Sequence, residues 1–312
     1  MKVAILDDYQ NVALTLADWS PVAARADITV FTDHVAEPDA LVARLEPFDV
    51  VFVMRERTPL PRAILERLPK LRMIASTGPF NASIDAAAAA ERGIHVGTTG
   101  GSVASTIELT WALILSGVRN LVAEATSVRD GGWQVSVGRE LSGRVLGVLG
   151  LGRIGPQVAR IGAAFGMDVI AWSQNMTPDA AAAAGATFVD RETLFSTADV
   201  LTVHLKLGER TRGLVGADEF AVMKPTALLV NTSRGPIVDE QALVTALRSK
   251  SIGGAALDVF DVEPLPADHP LRTLDNVIAT PHIGYVADRG YGIFFRDAVT
   301  AITEWLDKAD AP

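Results

Sequence analysis

The sequence predicts an α/β protein that is built on parallel β-sheets and divided into two domains. Short apolar or β-branched runs alternate with helical stretches almost from end to end, which is typical of parallel sheets with helical connections. A chain of 312 residues is long for a single hydrophobic core. Hydrophobic residues make up 49% of the chain and charged residues 21%, without a bias towards disorder. The core is therefore expected to be large.

Five strands are predicted in the first third of the chain. Helical segments separate them, including residues 39–45 and an alanine-rich stretch over residues 84–92, which stops at Gly93 as helices often do. The predicted strands cover residues 3–6, 28–31, 50–53, 73–75 and 94–96.

A second alternating series follows the first. It opens with one long helical pattern from residue 102 to about residue 129, which ends at a glycine-rich break over residues 131–132. An amphipathic helix from residue 286 to about residue 307 closes the chain. The strands predicted between them cover residues 145–149, 169–172, 200–205, 228–231, 255–259 and 277–279.

Charge and composition exclude several classes of function. The formal net charge is −9, with lysines and arginines scattered along the chain, so no nucleic-acid partner is expected, because such a partner needs a basic face. The chain has no cysteine, which excludes disulfides, thiolate catalysis and cysteine-ligated metal, and no metal site is predicted. We find no signal peptide and no apolar run near the ~20 residues that cross a bilayer. A cytoplasmic location without membrane contact is therefore expected.

A glycine-rich turn is the first functional motif. Gly150, Gly152 and Gly155 form a G-x-G-x-x-G sequence between the predicted strand 145–149 and a helical stretch over residues 157–165. In this setting the first glycine permits a tight turn, the second leaves space for a pyrophosphate, and the third lets the helix pack close to the strand. The alternative is three turn glycines without a ligand. The context of the motif favours dinucleotide binding.

The acid that usually accompanies this turn is missing. A carboxylate about 20 residues further on normally bonds to the adenosine ribose of NAD. Ser173, Gln174 and Asn175 stand at the end of the next predicted strand instead. Because neutral donors do not repel a 2′-phosphate, the cofactor is predicted to be NAD(H) or NADP(H), with a lean towards NADP(H).

Three candidate acid–base residues follow successive predicted strands of the second series: Arg234, Glu263 and His282. Ligands of open α/β sheets gather at the carboxyl ends of the strands. Taken singly, Arg234 fits a surface ion pair and Glu263 a solvated loop acid. A cation, a carboxylate and an imidazole at one edge together predict a catalytic site. The histidines interpreted as structural or exposed are His34, His95 and His269.

These motifs in this order resemble the D-isomer-specific 2-hydroxyacid dehydrogenase family. The resemblance covers nearly the whole chain and includes the glycine turn. The other segments that carry it are residues 140–147, 223–225, 231–240, 258–264 and 280–284.

The resemblance implies two flavodoxin- or Rossmann-like, doubly wound parallel-sheet domains with a cleft between them. Residues 1–99 and 284–312 would form the substrate domain, and residues 100–283 the dinucleotide-binding domain. Residues from about 102 to 133 would act as the dimerisation arm of a homodimer. The apolar positions expected in that arm include Trp111, Leu113 and Leu115.

The resemblance also implies roles for the three catalytic candidates. Arg234 would hold the substrate carboxylate and polarise the C2 carbonyl with its fixed fork of donors. His282 would protonate the C2 oxygen during reduction and remove that proton during oxidation. Glu263 would orient His282 and favour the protonated imidazole. The nicotinamide itself carries the hydride.

Further residues are assigned to the cofactor by the same resemblance. Asp258 would contact the nicotinamide amide, while Thr106 and Thr232 would lie along the cofactor. The residues expected to line the pyrophosphate are Arg153, Ile154 and His204.

Three residues are expected on the substrate side. Gly78 lies in a loop over residues 76–81 whose backbone amides would help to bind the acid, although Pro79 removes one donor. Arg55 follows a predicted strand and carries a charge that suits a polar substrate. Tyr285 follows the catalytic histidine and would shape the pocket or pack against it.

The resemblance therefore implies an enzyme that transfers a hydride between a nicotinamide cofactor and C2 of a small 2-hydroxy or 2-keto acid. A 2-keto acid reductase of the glyoxylate or hydroxypyruvate type is expected. Two alternatives stay open: a dinucleotide-sensing interaction protein of the co-repressor type, and a phosphite dehydrogenase. A formate dehydrogenase is disfavoured, because that branch of the family replaces the glutamate found here as Glu263.

Overall fold

The computed structural model describes residues 1–309 of the chain. These fall into two compact units. The first unit comprises Met1–Ser102 and the residues from Ala287 onward, and the second unit comprises Val103–Val286. In chain order the strands and helices are β1 (Lys2–Ile5), α1 (Ala13–Leu16), α2 (Ser20–Ala23), β2 (Asp27–Val30), α3 (Pro38–Leu45), β3 (Val50–Val53), α4 (Arg62–Leu65), β4 (Met73–Ser76), α5 (Ala86–Glu91), β5 (His95–Thr98), α6 (Ala104–Val118), α7 (Leu121–Arg129), β6 (Val145–Leu149), α8 (Gly155–Ala164), β7 (Asp168–Trp172), α9 (Pro178–Ala183), β8 (Thr187–Phe188), α10 (Arg191–Thr197), β9 (Val200–Val203), α11 (Ala217–Val222), β10 (Leu228–Asn231), α12 (Glu240–Arg248), β11 (Gly254–Leu257), β12 (Val277–Ala279) and α13 (Asp288–Ala309).

The first unit contains a five-stranded parallel sheet in the order β2-β1-β3-β4-β5. This is the flavodoxin-like strand order. One face of the sheet is covered by an apolar cluster that includes Leu41 and Leu45 of α3 and Leu65 of α4. On β3, Phe52 stacks on Phe295 of α13, with ring centroids 5.4 Å apart. Every residue of β3 and β4 is buried, as expected of parallel strands with both faces covered.

The second unit contains a seven-stranded parallel sheet in the order β12-β11-β10-β9-β6-β7-β8. Helices α6 and α8 pack on one face through Trp111 and Val158. Helices α10 and α12 contribute Phe195 and Leu243 to a separate apolar cluster. Two doubly wound parallel-sheet units are present, which confirms the predicted fold class.

Short polar signals determine where several of the helices begin. Asp85, Asp190 and Asp239 each accept a hydrogen bond from a backbone amide in the first turn of α5, α10 and α12, respectively. Such caps satisfy amides that have no partner within the helix. Gly93, with φ of 67°, follows the end of α5 as predicted. The starts of these three helices are therefore fixed by capping residues in the sequence.

The structure differs from the sequence prediction in several places. The strands predicted over residues 200–205 and 255–259 end earlier, at Val203 and Leu257. The single helical pattern predicted over residues 102–129 is two helices, α6 and α7, because Asn120 adopts a left-handed conformation with φ of 52°. The two-residue strand β8 is too short to show a pattern and was not predicted. The proposed interface positions were wrong for Trp111 and Leu113, which are buried in the core of the second unit, and Leu115 packs partly against the same core.

Among the described residues, no helix combines the length and the apolar character needed to cross a membrane.

Candidate active site

The predicted catalytic and dinucleotide-binding segments follow strands of the seven-stranded sheet. Ser173 follows β7 and His204 follows β9, while Arg234, Glu263 and His282 lie in the segments that follow β10, β11 and β12. These last three strands are neighbours in the sheet. Because all the strands are parallel, their carboxyl ends meet at one edge, where open α/β sheets bind ligands.

The glycine turn joins β6 to α8 as the sequence predicts. Gly150 has φ of 101°, which the turn requires and which other residues rarely adopt. A Cβ atom on Gly155 would collide with the carbonyl oxygen of Gly150, so the helix packs against the turn. A Cβ atom on Gly152 would meet no heavy atom within 4 Å. Within the described residues, no side chain caps the amino end of α8. The space at Gly152 and the uncapped helix end suit a pyrophosphate.

The residues predicted to flank the pyrophosphate lie beside this turn. The His204 amide donates to the carbonyl of Leu149, at the end of β6, at 2.8 Å. His204 Nε2 lies 2.9 Å from Thr202 Oγ1, and burial lowers the pKa of the His204 imidazole to about 3. This ring is therefore neutral and adds no positive charge. Arg153 is exposed, whereas Ile154 packs against the core.

The imidazole and the carboxylate of the predicted catalytic group are in direct contact. His282 Nδ1 lies 2.5 Å from Glu263 Oε2. The second oxygen, Glu263 Oε1, accepts a hydrogen bond from the backbone amide of Phe260 at 2.9 Å. His282 has φ of 52°, an uncommon conformation for a residue other than glycine. Both oxygens of Glu263 are therefore engaged, and one of them fixes the orientation of the His282 ring.

Asp258 holds the segment that carries His282. Its side chain is fully buried. Its Oδ1 accepts from Thr280 Oγ1 at 2.6 Å and from the Ile283 amide at 2.8 Å, and its Oδ2 accepts from the Gly284 amide at 2.7 Å. Burial raises the pKa of Asp258, although these hydrogen bonds favour the carboxylate. The predicted contact of Asp258 with the nicotinamide stays a prediction.

Arg234 lies in a tight turn shaped by the last residue of β10. Asn231 Nδ2 donates to the carbonyl of Arg234 at 3.0 Å, and Asn231 Oδ1 accepts from the Ser233 amide at 3.0 Å. Arg234 Nη1 donates to the carbonyl of Ser233 at 2.6 Å. Asn231 opens the Asn-Thr-Ser-Arg segment, and its role in shaping this turn was not predicted from the sequence.

Helix α6 connects two of the predicted cofactor segments. Thr106 Oγ1 donates to the carbonyl of Gly284 at 2.9 Å. One turn later, Thr110 Oγ1 lies 2.8 Å from Thr232 Oγ1. The two threonines assigned to the cofactor therefore lie in one hydrogen-bonded region of the second unit.

Comparisons with known proteins identify the family. Residues 111–284 match the sequence model of the D-isomer specific 2-hydroxyacid dehydrogenase, NAD binding domain. A glyoxylate reductase from Aeropyrum pernix is 43% identical over 267 residues, which cover 82% of this chain and 79% of that enzyme. The chain belongs to the D-isomer specific 2-hydroxyacid dehydrogenase family. The predictions of an oxidoreductase and of a nicotinamide cofactor are thereby confirmed.

Other relatives agree with this assignment. A hydroxypyruvate reductase from Thermotoga maritima is 37% identical over 266 residues, which cover 83% of this dehydrogenase and 85% of that enzyme. The crystal structure of a phosphoglycerate oxidoreductase from Vibrio cholerae o395 is 38% identical, with a TM-score of 0.94 over 99% of each chain.

The predicted substrate residues of this dehydrogenase are distributed over both units. Tyr285 is buried, and its ring meets His282 edge-on, with centroids 5.2 Å apart. In the first unit, Arg55 Nη1 donates to the carbonyl of Thr77 at 3.0 Å and lies beside Gly78. The amide of Gly78 donates to Thr99 Oγ1 at 2.8 Å. That amide is already engaged, so a role for Gly78 in binding the acid stays a prediction.

The loop that follows β9 contacts a predicted ribose-binding residue, which the sequence did not predict. Gln174 Nε2 donates to the carbonyl of Arg210 at 3.2 Å. Arg210 is exposed and lies in the loop that follows β9. The two residues are far apart in the chain, so only the folded structure shows that this loop lies against Gln174. Within residues 1–309, no group of three or more histidine, cysteine or acidic side chains could hold a metal ion.

Proposed function

We propose that this dehydrogenase reduces small 2-keto acids of the glyoxylate and hydroxypyruvate type. The observation that carries the proposal is the 2.5 Å contact between His282 Nδ1 and Glu263 Oε2. It directs the opposite ring nitrogen, Nε2, to proton transfer. The names of the glyoxylate and hydroxypyruvate reductases among the relatives support this choice of substrate.

The three catalytic residues divide the work in this proposal. Arg234 binds the substrate carboxylate and polarises the C2 carbonyl, since its guanidinium offers several donors in one plane. His282 donates the proton on Nε2 to the C2 oxygen during reduction. Glu263 holds the ring and favours its protonated form, because it places a negative charge beside the imidazole. The nicotinamide, when bound, supplies the hydride for reduction and accepts it in the reverse direction.

The second unit binds the dinucleotide in this proposal. The Gly150–Gly155 turn and the amino end of α8 receive the pyrophosphate, with Arg153, Ile154 and His204 beside it. Thr106 and Thr232 contact the nicotinamide half. Asp258 contributes by holding the catalytic segment in place.

A spectrophotometric panel tests the proposed reaction. Glyoxylate, hydroxypyruvate, larger 2-keto acids and phosphite are each offered with the reduced or oxidised form of both cofactors. We expect reduction of at least one small 2-keto acid. Oxidation of phosphite without keto-acid reduction would support the phosphite dehydrogenase instead. Tight dinucleotide binding without turnover of any compound would support the interaction protein.

We further propose that NADP(H) is used at least as well as NAD(H). The segment Ser173–Asn175 carries no carboxylate that would repel a 2′-phosphate. The backbone of Arg210 contacts Gln174, so the loop next to the predicted ribose-binding segment carries a cationic residue.

Replacing Ser173 with aspartate is therefore expected to shift the preference towards NADH, because the new carboxylate would bond to the ribose and repel the phosphate. Arg210→Ala is expected to lower kcat/KM for NADPH and to leave that for NADH near the wild-type value. Steady-state kinetics with one good keto acid measure both effects, and the neutral variant Ser173→Asn is the matched control. A wild-type advantage for NADH of about tenfold, equivalent to about 1.4 kcal/mol, would contradict the proposal.

We also propose a homodimer formed through α7 and the segment that follows it. Helix α7 buries none of its residues. Trp133 is 73% exposed and Val137 is 94% exposed, and Leu121, Val122 and Val128 are exposed as well. Exposed apolar surface of this extent is typical of a protein interface. A groove of about 750 Å³ lies beside this segment, lined by residues that include Asn120, Arg139, Thr226 and Asn276.

Light scattering at micromolar concentration is expected to give twice the chain mass of 33.1 kDa. The double variant Val122→Glu with Trp133→Glu should give the monomer mass, because it places charge in the apolar surface. Leu14→Glu, at an exposed apolar position of the first unit, is the control and should stay dimeric. A wild-type particle of 33.1 kDa would refute the dimer.

A further inference from the structure

A second acid–histidine pair, Glu240 with His269, fastens the segment that carries Glu263. Glu240 Oε1 lies 3.0 Å from His269 Nε2, and both side chains are 15% exposed. Glu240 Oε2 accepts a hydrogen bond from the backbone amide of Asp261 at 3.3 Å. Asp261 precedes Glu263 in the chain and His269 follows it. One carboxylate at the start of α12 therefore joins both sides of the catalytic segment.

The tautomer of His269 follows from its second contact. His269 Nδ1 accepts a hydrogen bond from the Leu271 amide at 3.3 Å, where it caps a short 3-10 turn over Pro270–Arg272. Because Nδ1 is an acceptor, a neutral ring carries its proton on Nε2, which faces Glu240. Glu240 thus meets two donors, the His269 ring and the Asp261 amide. Two donors on two oxygens require a carboxylate, since a side-chain amide has only one acceptor oxygen.

The backbone next to Asp261 is tightly packed and leads directly to the catalytic carboxylate. A Cβ atom on Gly235 would collide with the Phe260–Asp261 peptide, so that peptide lies against the turn that follows Arg234. The backbone amide of Phe260, which belongs to the preceding peptide, donates to Glu263 Oε1 at 2.9 Å. A shift of this peptide would therefore displace the oxygen pair of Glu263.

We propose that Glu240, together with His269, is a positioning residue that holds the Glu263 carboxylate against His282 and thereby sets the pH range of the reaction. This inference rests on the proposed function, in which His282 is the proton donor. Neither Glu240 nor His269 touches the reacting groups in this scheme. They act through the Phe260–Asp261 peptide.

Several charged groups surround the two pairs. Burial followed by the charge of Glu240 raises the pKa of Asp261, and Arg212, Asp239 and His269 act on the same carboxyl group. Glu263 and Asp258 are the acids that act on His282. Each test variant leaves Asp239, Asp261, Arg212, Glu263 and Asp258 in place. His269→Asn also keeps the carboxylate of Glu240, so a shift in its pH profile reports on the position of Glu263 without the loss of that negative charge.

Two variants separate positioning from simple loss of a side chain. Glu240→Gln keeps the shape of the side chain but faces one of the two donors with an NH₂ group. His269→Asn keeps an acceptor for the Leu271 amide, because asparagine is a good helix cap, but it is too short to contact Glu240. Glu192→Gln removes an acid from the first turn of α10 and controls for the loss of charge at a helix start.

For Glu240→Gln, kcat for keto-acid reduction is expected to fall about tenfold, since small misplacement of a catalytic group is costly. KM for the cofactor should stay near the wild-type value. The basic limit of the kcat/KM profile should move to lower pH, because reduction needs the protonated imidazole and a displaced Glu263 favours it less. His269→Asn should shift the limit in the same direction, and combining the two should add little. Glu192→Gln should behave as wild type.

Wild-type kcat and pH limits in both Glu240→Gln and His269→Asn would overturn the inference. If Glu240→Gln does not fold, the pH profile of His269→Asn decides alone. If the wild-type protein reduces no 2-keto acid, the proposed function fails, and the positioning role is then tested by ¹H NMR of the His282 Nδ1 proton. A strongly deshielded signal is expected in the wild type and in Glu192→Gln, and a weakened or displaced one in Glu240→Gln. An unchanged signal would overturn the inference independently of activity.

Discussion

Replacing His282 with asparagine is expected to lower kcat for keto-acid reduction by about 10²–10⁴-fold, the usual contribution of a positioned acid–base group. An amide cannot give up a proton to the C2 oxygen, whereas an imidazolium can. Asparagine is a better replacement than alanine, because His282 has φ of 52° and asparagine adopts that conformation more readily. Affinity for the cofactor should stay near the wild-type value.

Steady-state kinetics and a cofactor-binding titration measure this effect. His95→Asn is the matched control, since His95 is exposed on a strand of the first unit and should keep wild-type kcat. Near-normal keto-acid reduction by His282→Asn would rule out this residue as the proton donor. A fall in cofactor affinity of the same size as the fall in rate would indicate that the variant disturbs the dinucleotide site instead.

The sequence was informative wherever function depends on the ends of parallel strands. Strands of this kind are continuous apolar runs, so β6, β10 and β12 were placed at their observed bounds. The polar residues that follow such runs must emerge at one edge of the sheet. That rule predicted Arg234, Glu263 and His282 at one edge, and the three residues follow β10, β11 and β12, which are neighbours in the sheet.

Contacts between distant segments could not be predicted in this way. Arg210 meets Gln174 through its carbonyl, and Glu240 meets His269 through side chains, although each pair is far apart in sequence. Neither pair leaves a periodic signal. His269 was interpreted as structural or exposed, as a lone histidine usually is. A single histidine in a loop has no pattern that reveals an acid 29 residues away, as the positions 240 and 269 show.

Burial of a helix face is a second property that the sequence left ambiguous. Helix α6 is apolar on several sides, so Trp111 and Leu113 fitted an interface as well as a core. The structure buries both and exposes apolar residues on α7 instead. Asn120 between the two helices takes the left-handed conformation that asparagine tolerates. This break between α6 and α7 was not visible in the apolar pattern.

The second large effect is expected at Arg234. Its predicted role combines binding of the substrate carboxylate with polarisation of the C2 carbonyl. Removing one donor that stabilises charge in a transition state typically costs about 10²–10³-fold in rate. Arg234→Ala removes both functions, so kcat/KM for the keto acid should fall by at least about 10³-fold. The variant loses the hydrogen bond from Arg234 Nη1 to the Ser233 carbonyl. It keeps the two hydrogen bonds by which Asn231 holds the backbone of the turn, so the turn should survive.

Arg234→Lys distinguishes the charge from the geometry of the guanidinium. Lysine keeps the positive charge but loses the planar fork that binds a carboxylate through two parallel hydrogen bonds. A partial recovery relative to alanine, mainly in KM, is therefore expected. Arg248→Ala, in the last turn of α12, is the control for loss of an arginine from the same unit. A rise in KM with kcat unchanged means that the lost interaction stabilised the bound substrate and the transition state equally. If Arg234→Ala behaves in that way, Arg234 anchors the carboxylate only, and the polarisation of the carbonyl must be assigned to the protonated His282.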